Sequence, residues 1–284
     1  MGAHLPDQLP LSSEPQAQRP QALMLTFLGE YVFNRAVCVF SGSVIDVLAR
    51  VDVSEHATRS TLTRMVNRDL LRRQRHGQRM YFGLTERSKR ILADGEVRLW
   101  QTGAINHDWD GTWTLLGFSL PGSWQRERHD LRSQLAWAGF GPLQGGLWIA
   151  PGTPEVGPIV AGLGLESHVR VFRAYADSLT DVNQMIRDAY DLEGLGTRYE
   201  DFLKRWEPAE GLAIPGDPFA AKLRLVTDWL QIIRRDPRLP VDHLPSQWPA
   251  VRAQDLFHRL DAQLGEPARA IAASLLDIVP EASR

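Results

Sequence analysis

The sequence predicts an α+β, multidomain protein with an N-terminal winged helix-turn-helix, a ferredoxin-like central domain and an all-helical C-terminal domain. Its 284 residues exceed the ~100–200 residues of a single domain. The apolar pattern changes along the chain from helices with one hairpin, to alternating strands and helices, to helices alone. Most of the excess positive charge lies within the first domain. The predicted limits are 1–20 for a disordered tail, then 21–103, 104–180 and 181–284 for the three domains.

The N-terminal domain is predicted to contain three helices, a two-stranded hairpin and a fourth helix. Ser41 or Ser43 is expected to cap the second helix, and Ser54 the third. Gly77 suits the tight turn of the hairpin. The predicted ranges are 23–33, 41–50, 55–68, 70–76, 79–85 and 86–100.

The central domain is predicted from strands that alternate with two helices, which is typical of a small ferredoxin-like unit. The strands are expected at 112–120, 146–150 and 168–175, and the helices at 123–137 and 154–163. Helical patterns follow at 181–192, 197–206, 218–235, 249–264 and 267–278.

Composition excludes several classes of protein. Apolar residues make up 43% and charged residues 23%, close to the average for globular proteins, which argues against global disorder. No apolar run approaches the ~18 residues of a membrane helix, so no membrane partner is expected. Cys38 is the single cysteine, which excludes an internal disulfide and fits a reducing compartment. The first 20 residues lack the basic start and apolar stretch of a secretory signal, so the cytoplasm is the expected location.

Charge is distributed unevenly, although the net charge is only −2. Residues 1–58 hold three Lys/Arg and six Asp/Glu, and residues 91–284 hold nineteen and twenty-six. Residues 59–90 hold ten and two, a net charge of +8. A basic block in an acidic chain indicates a polyanionic partner, whereas an ordinary solvated helix face mixes both signs.

Two neighbouring elements carry the predicted DNA contacts. The third helix is predicted to bury a stripe of Thr58, Leu62, Met65 and Val66. Polar residues recur at helical spacing on its opposite face, and arginines dominate the hairpin. The alternatives are an ordinary polar helix surface and a charged edge strand that prevents aggregation. The candidate DNA-binding residues are His56, Arg59, Ser60, Thr63, Arg64, Asn67, Arg72, Arg73, Arg75, Gln78 and Arg79.

No catalytic or cofactor pattern stands out. Asp108 and Asp110 suit an acid/base pair or a metal site, but beside Gly111 they are more typical of a turn into a strand. Gly162-Leu163-Gly164 is interpreted as a helix end. We therefore expect no cofactor, no metal ion and no catalytic residues.

Several segments resemble one known family in their order along the chain. They are Leu25-Thr26-Phe27-Leu28-Gly29-Glu30-Tyr31, the run from Ser54 to Val66, the Arg-rich hairpin, Trp109-Asp110-Gly111 with Trp113, Gly139-Phe140-Gly141-Pro142-Leu143, Gly146-Leu147-Trp148-Ile149-Ala150-Pro151, Arg235-Asp236-Pro237 with Leu239-Pro240, and Leu244-Pro245 with Trp248-Pro249. The chain resembles the phenylacetate-degradation repressors, also called PaaX-like transcriptional regulators.

The resemblance implies a cytoplasmic homodimer that represses a catabolic operon by binding a double-stranded DNA operator. It also implies release by a small-molecule effector such as an aryl-CoA or acyl-CoA thioester. Thr227 and Leu230 depart from the family pattern, where His and Arg are often found, and Ala250 stands where Gly is usual.

Two arginine clusters are candidates for the effector site, which needs cations beside apolar or aromatic walls. One lies near Trp124 and Trp137, the other near Trp229 and Trp248. Helix-surface charge explains either cluster equally well. The clusters are Arg126, Arg128 and Arg132, and Arg234, Arg235 and Arg238.

Two further functions remain open. The central domain is similar to the small CRISPR-associated nuclease fold, which suggests a DNA-tethered, metal-dependent nuclease. That activity needs an aspartate at the end of the first strand, where this chain has Phe118-Ser119-Leu120-Pro121. An enzyme acting on acyl-CoA has no nucleophile–base pattern to support it.

Overall fold

The computed structural model describes residues 20–209 and 216–282. The predicted disordered tail lies outside them, apart from Pro20, the first residue of a helix. The chain forms two compact units. The central unit comprises Thr102–Asp201 and Ile232–Gln254, and the described parts of the terminal unit lie within Pro10–Gln101, Phe202–Gln231 and Asp255–Arg284. Each is described by itself.

The N-terminal elements of the terminal unit follow the predicted order, with one strand added. The added strand β1 has four residues from the apolar run between the first two helices, too few to show a clear period of two. The elements are α1 (Pro20–Tyr31), β1 (Val37–Phe40), α2 (Ser41–Ala49), α3 (Glu55–Asn67), β2 (Leu71–His76), β3 (Arg79–Leu84) and α4 (Glu86–Val97), followed by a π-helical turn at Arg98–Thr102.

The N-terminal cap predicted for α3 is present, and the one predicted for α2 is not. The Ser54 hydroxyl accepts a hydrogen bond from the Ala57 backbone N–H, as predicted for α3. The predicted serine cap of α2 is wrong, because α2 follows Phe40 with no side-chain cap. Ser43 instead accepts a hydrogen bond from the backbone N–H of Asp277 at 3.0 Å.

The central unit contains a four-stranded antiparallel sheet with two helices inserted between its strands. The strand order β5-β6-β4-β7, in the sequence β-α-β-β-α-β, is that of a ferredoxin-like unit. The elements are β4 (Thr112–Phe118), α5 (Gln125–Trp137), β5 (Gly141–Gln144), β6 (Leu147–Pro151), α6 (Gly157–Leu163), β7 (Val169–Tyr175) and α7 (Val182–Ala189).

Strand β5 was not predicted. In the sequence, Gly139, Gly141 and Pro142 indicate only the end of the preceding helix, and that helix does end at Trp137. The structure pairs Gly141 with Ile149 and Pro142 with Trp148. Strand β5 lies at the edge of the sheet, where a proline is tolerated because no second neighbour needs its missing N–H.

After α7, the described residues form three further α-helices and a short strand: α8 (Leu192–Trp206), α9 (Pro218–Ile233), α10 (Pro249–Leu275) and β8 (Ile278–Pro280). The region predicted to be all-helical therefore also holds one strand. Helix α10 runs through Pro267, where two helices were predicted. Leu264 and Ala268 on either side of that proline are buried. An interior proline costs a helix ~3 kcal/mol, and burial of the neighbouring side chains favours the continuous helix against that cost.

The sheet of the terminal unit has the order β2-β3-β1-β8. All three neighbouring pairs are antiparallel. Strand β8 therefore extends an N-terminal sheet with residues from the other end of the sequence. Such pairing leaves no local signal in the sequence, because it depends on tertiary contacts.

Candidate nucleic-acid interface

Helix α3 presents a polar face opposite a buried one. Thr58, Thr61, Leu62 and Met65 are buried. Val66, predicted to join them, is half-buried. All six candidates on α3 are exposed, as expected from a 3.6-residue period: His56, Arg59, Ser60, Thr63, Arg64 and Asn67.

The arginines on this face are held by weak local contacts. Arg59 pairs with Glu55 at 2.7 Å, and both side chains are exposed. Arg64 donates a hydrogen bond to the Thr61 hydroxyl at 3.0 Å. Exposed pairs contribute ~0–1 kcal/mol, so a phosphate or a base edge can replace the carboxylate at little cost.

The hairpin divides its arginines between two faces. Side chains alternate along a strand, so Arg73 and Arg75 share a face with buried Leu71, while Arg72 lies on the other. Arg73 and Arg75 are exposed, and Arg75 Nε donates to the carbonyl oxygen of Gly77 in the turn. Gly77 has a φ of +59°, which glycine adopts without strain. Gln78 is exposed beside it.

Arg72 and Arg79 have carboxylate partners that the sequence analysis missed. Arg79 lies 2.7 Å from Asp277, and Arg72 forms an ion pair with Glu281. Both acids flank β8, and about 200 residues separate them from the hairpin. The local signal for β8 in the sequence is the apolar pair Ile278-Val279 between two acidic residues. This pattern does not indicate which strand β8 pairs with.

The basic segment holds further exposed cations that the candidate set omitted. Arg68 follows α3 directly, and Arg90 lies on α4. Their type and position in the +8 segment were visible in the sequence. The sequence did not indicate whether either side chain lies on the same face as the candidate residues, because the ends of predicted helices are uncertain by one or two residues.

The two aspartates near the central sheet form a turn. The Asp110 carboxylate accepts a hydrogen bond from the Thr112 backbone N–H at 2.9 Å. That hydrogen bond lowers the pKa of Asp110 below its usual value. Asp108 is exposed, and Gly164 ends α6 in the left-handed conformation, as predicted. Within 20–209 and 216–282, no three His, Cys, Asp or Glu side chains gather as a metal site would require.

Three arginines from the two clusters proposed for the effector site make contacts within the central unit. Arg128 donates to the carbonyl oxygen of Leu120 at 3.0 Å, and Arg126 lies 3.8 Å from Asp130. Arg238 Nη2 donates to the carbonyl oxygen of Ile105. The contacts of Arg128 and Arg238 with backbone carbonyl groups favour a structural role for these two, whereas Arg126 is 90% exposed and only weakly paired.

Several aromatic and polar residues considered for the effector are buried in the terminal unit. Trp229 stacks on Phe257, with ring centroids 5.0 Å apart. Thr227 Oγ1 lies 2.9 Å from Thr26 Oγ1, and Leu230 is also buried. Ala250 is fully buried as well, so all three departures from the family pattern are core positions.

No helix in the described ranges is both long enough and apolar enough to cross a bilayer.

Comparison with known proteins gives a consistent set of similarities. Three family models match in sequence order: "PaaX-like protein" at residues 19–88, "PaaX protein central Cas2-like domain" at 106–186 and "PaaX-like protein C-terminal domain" at 190–274. The chain is 25% identical over 247 residues to "Transcriptional repressor PaaX" of Escherichia coli (strain K12), covering 83% of this chain and 77% of that protein.

A solved structure shares the fold. It is the "Uncharacterized protein Rv0674 from Mycobacterium tuberculosis", which superposes with a TM-score of 0.61 and 22% identity. The superposition covers 90% of this chain and 99% of the other.

Proposed function

Because the chain belongs to the PaaX-like family of regulators, we propose that it is a transcriptional repressor that binds double-stranded DNA. The observation that carries this proposal is the exposed, basic and acid-poor face of α3 beside an arginine-rich hairpin. The curated relative is itself named a transcriptional repressor. Binding, rather than catalysis, is the proposed activity.

The N-terminal elements suit a winged helix-turn-helix. Their order, α1-β1-α2-α3-β2-β3, supplies two helices that support a third and a hairpin beside it. We assign α3 as the recognition helix in the major groove and the β2–β3 hairpin as the wing. We also propose that the three domains of the chain span residues 21–103, 104–180 and 181–284.

The side chains suggest distinct roles. Arg59 suits guanine O6 and N7, and Asn67 suits adenine, because each offers a bidentate pattern. Arg75, at the hairpin tip, suits a phosphate, which fixes position without reading sequence. The remaining candidate residues are proposed to support these contacts.

The biological context follows the family resemblance. We propose a cytoplasmic homodimer that represses a catabolic operon and is released by a CoA thioester. A dimer that places two recognition helices and two wings on DNA neutralises roughly 6–10 phosphates, which gives a log–log salt slope near −5 to −9.

Fluorescence anisotropy tests the proposal. The full chain is titrated into a labelled DNA duplex from the region upstream of its own gene, called the upstream duplex. It is also titrated into a random duplex of equal length, and both titrations are repeated at several salt concentrations. The upstream duplex should bind more tightly, with the steep salt slope given above. Equal affinity for both duplexes would refute specific DNA binding.

A further inference from the structure

The last residues of the described chain form a strap across the sheet that carries the hairpin. Helix α10 ends at Leu275, and β8 then pairs with β1 in the register Val37–Pro280, Cys38–Val279 and Val39–Ile278. Backbone hydrogen bonds extend the pairing at both ends, from Phe40 N–H to Asp277 and from Glu281 N–H to Ala36. We call residues 276–282 the C-terminal strap.

Asp277, at the start of the strap, engages the hairpin strand β3. Its carboxylate lies 2.7 Å from the Arg79 guanidinium and accepts a hydrogen bond from the Tyr81 hydroxyl at 3.1 Å. Its backbone N–H donates to Ser43 on α2. The Arg79 guanidinium also lies over the Phe40 ring, 5.1 Å from the centroid. The contacts at Asp277 therefore fix the position of Arg79 along the hairpin.

Glu281, at the other end, engages β2. It forms an ion pair with Arg72, and the two side chains are only 24% and 22% exposed. Lys89 on α4 is a second, more distant partner, 3.8 Å from Glu281. Arg72 reaches Glu281 by passing over Gly83, where a Cβ would lie 2.6 Å from Cys38 Sγ and 3.4 Å from Arg72 Nε. A half-buried pair is screened less by salt than a surface pair.

Gln74 fastens the strap between the two ion pairs. Its amide Nε2 donates to the carbonyl oxygen of Pro280 at 2.9 Å, and its Oε1 accepts from the Ala282 N–H at 3.0 Å. Five contacts thus join the strap to four residues on one face of the hairpin: Arg72, Gln74, Arg79 and Tyr81.

We propose that the C-terminal strap is an autoinhibitory element that holds two wing arginines away from DNA phosphates. This proposal rests on the proposed DNA-binding function. The carboxylates of Asp277 and Glu281 occupy Arg79 and Arg72 and add negative charge where the DNA backbone would approach. Strap and phosphate therefore compete for the same guanidinium groups.

The position of the strap links this competition to the C-terminal helices. Only one residue separates Leu275, the last residue of α10, from Asp277. A shift of the end of α10 therefore changes the Arg79 ion pair directly. An effector that favours one position of α10 changes DNA affinity by as much as its affinity differs between the two positions.

The test uses the full chain with the double substitution Asp277→Asn and Glu281→Gln, which removes both charges and keeps side-chain size. The matched control is Asp46→Asn with Glu96→Gln, which removes the same charge from exposed positions on α2 and α4. Affinity for the upstream and random duplexes is measured by anisotropy over a salt series. Thermal unfolding checks that each variant is folded.

The strap variant should bind both duplexes about 5- to 20-fold more tightly than wild type, with a salt slope steeper by about 1–2, because each freed arginine adds about 0.9. The control should change affinity less than about 2-fold, with an unchanged slope. Adding Arg72→Gln and Arg79→Gln to the strap variant should abolish the gain. The single variant Glu281→Gln, which keeps all Asp277 contacts, should give about half of the slope change even if the double variant unfolds.

The outcomes separate the two proposals. If wild type binds its upstream duplex specifically and the strap variants match the control, the autoinhibitory role is wrong and the proposed function stands. If no variant distinguishes the upstream duplex from the random one, the proposed function and the strap mechanism both fail.

Discussion

Lys222 on α9 forms a buried ion cluster that predicts a large and pH-dependent loss of stability on its removal. Its side chain is only 7% exposed and pairs with Asp261 on α10, and Glu30 on α1 lies 3.6 Å away. Two carboxylates therefore share one buried ammonium group across three helices of the terminal unit. Lys222→Met keeps most of the side-chain volume and removes the charge.

The magnitude follows from the burial. Removing one partner of a buried ion pair costs about 3–5 kcal/mol in the free energy of unfolding, because the remaining charge is left uncompensated. Lys89 offers a matched control. Its side chain is 35% exposed and lies 2.9 Å from Glu86 and 3.8 Å from Glu281, so Lys89→Met should cost only about 1 kcal/mol.

The pH dependence has a definite sign. Burial raises the pKa of Glu30 above its ordinary value of 4.5, while Lys222 lowers it. The folded state thus holds this proton more tightly than the unfolded state. The resulting stability is fully present below pH 4.5 and is lost as pH rises through the folded pKa. Without Lys222 that pKa rises further, so the deficit of the variant should grow with pH.

Urea unfolding of wild type, Lys222→Met and Lys89→Met at about pH 5 and pH 7.5 measures these differences. The loss for Lys222→Met should be larger at the higher pH. Adding Glu30→Gln should recover about 1–2 kcal/mol, because it removes one unpaired buried carboxylate. A loss below ~1 kcal/mol, or one independent of pH, would refute the buried-cluster account.

The remaining predictions concern DNA and the effector. Arg59→Ala and Asn67→Ala should each cost ~1–3 kcal/mol on the upstream duplex and less on a scrambled one, measured by anisotropy; an equal loss on both would place these residues at phosphates. Arg75→Ala should weaken both duplexes alike and reduce the salt slope by about 1; a loss confined to the upstream duplex would indicate base contact instead. Phenylacetyl-CoA should quench tryptophan fluorescence and dissociate the operator complex at the same concentrations, and a hundredfold loss of affinity requires ~2.7 kcal/mol of coupling. If other metabolites produce both effects and thioesters produce neither, the expected ligand class is wrong.

Local patterns predicted the parts of the interface that are local in the structure. Ser54, the apolar stripe of α3 and the turn at Gly77 each rest on residues within about two turns or one hairpin. The exposed face of α3 followed from the same periodicity. Such signals suffice when neighbours in the sequence are also neighbours in space.

The missed features are short or distant in sequence. Strands β1, β5 and β8 have only three or four residues each, too few for a period of two to be distinguished from a loop. The pairs of Arg72 with Glu281 and Arg79 with Asp277 depend on where β8 adds to the sheet. Isolated sequence patterns specify neither the partner strand nor its register.

Photo-crosslinking tests the central claim, that the exposed face of α3 contacts DNA, most directly. A photoreactive phenylalanine analogue replaces Thr63 on that face in one sample, and Asp188, exposed on α7 of the central unit, in another. Each full-length protein is irradiated with its upstream duplex. We expect a covalent protein–DNA product from position 63 and far less from position 188. A product from position 188 alone, or equal yields from both positions, would contradict the assignment of α3 as the recognition helix.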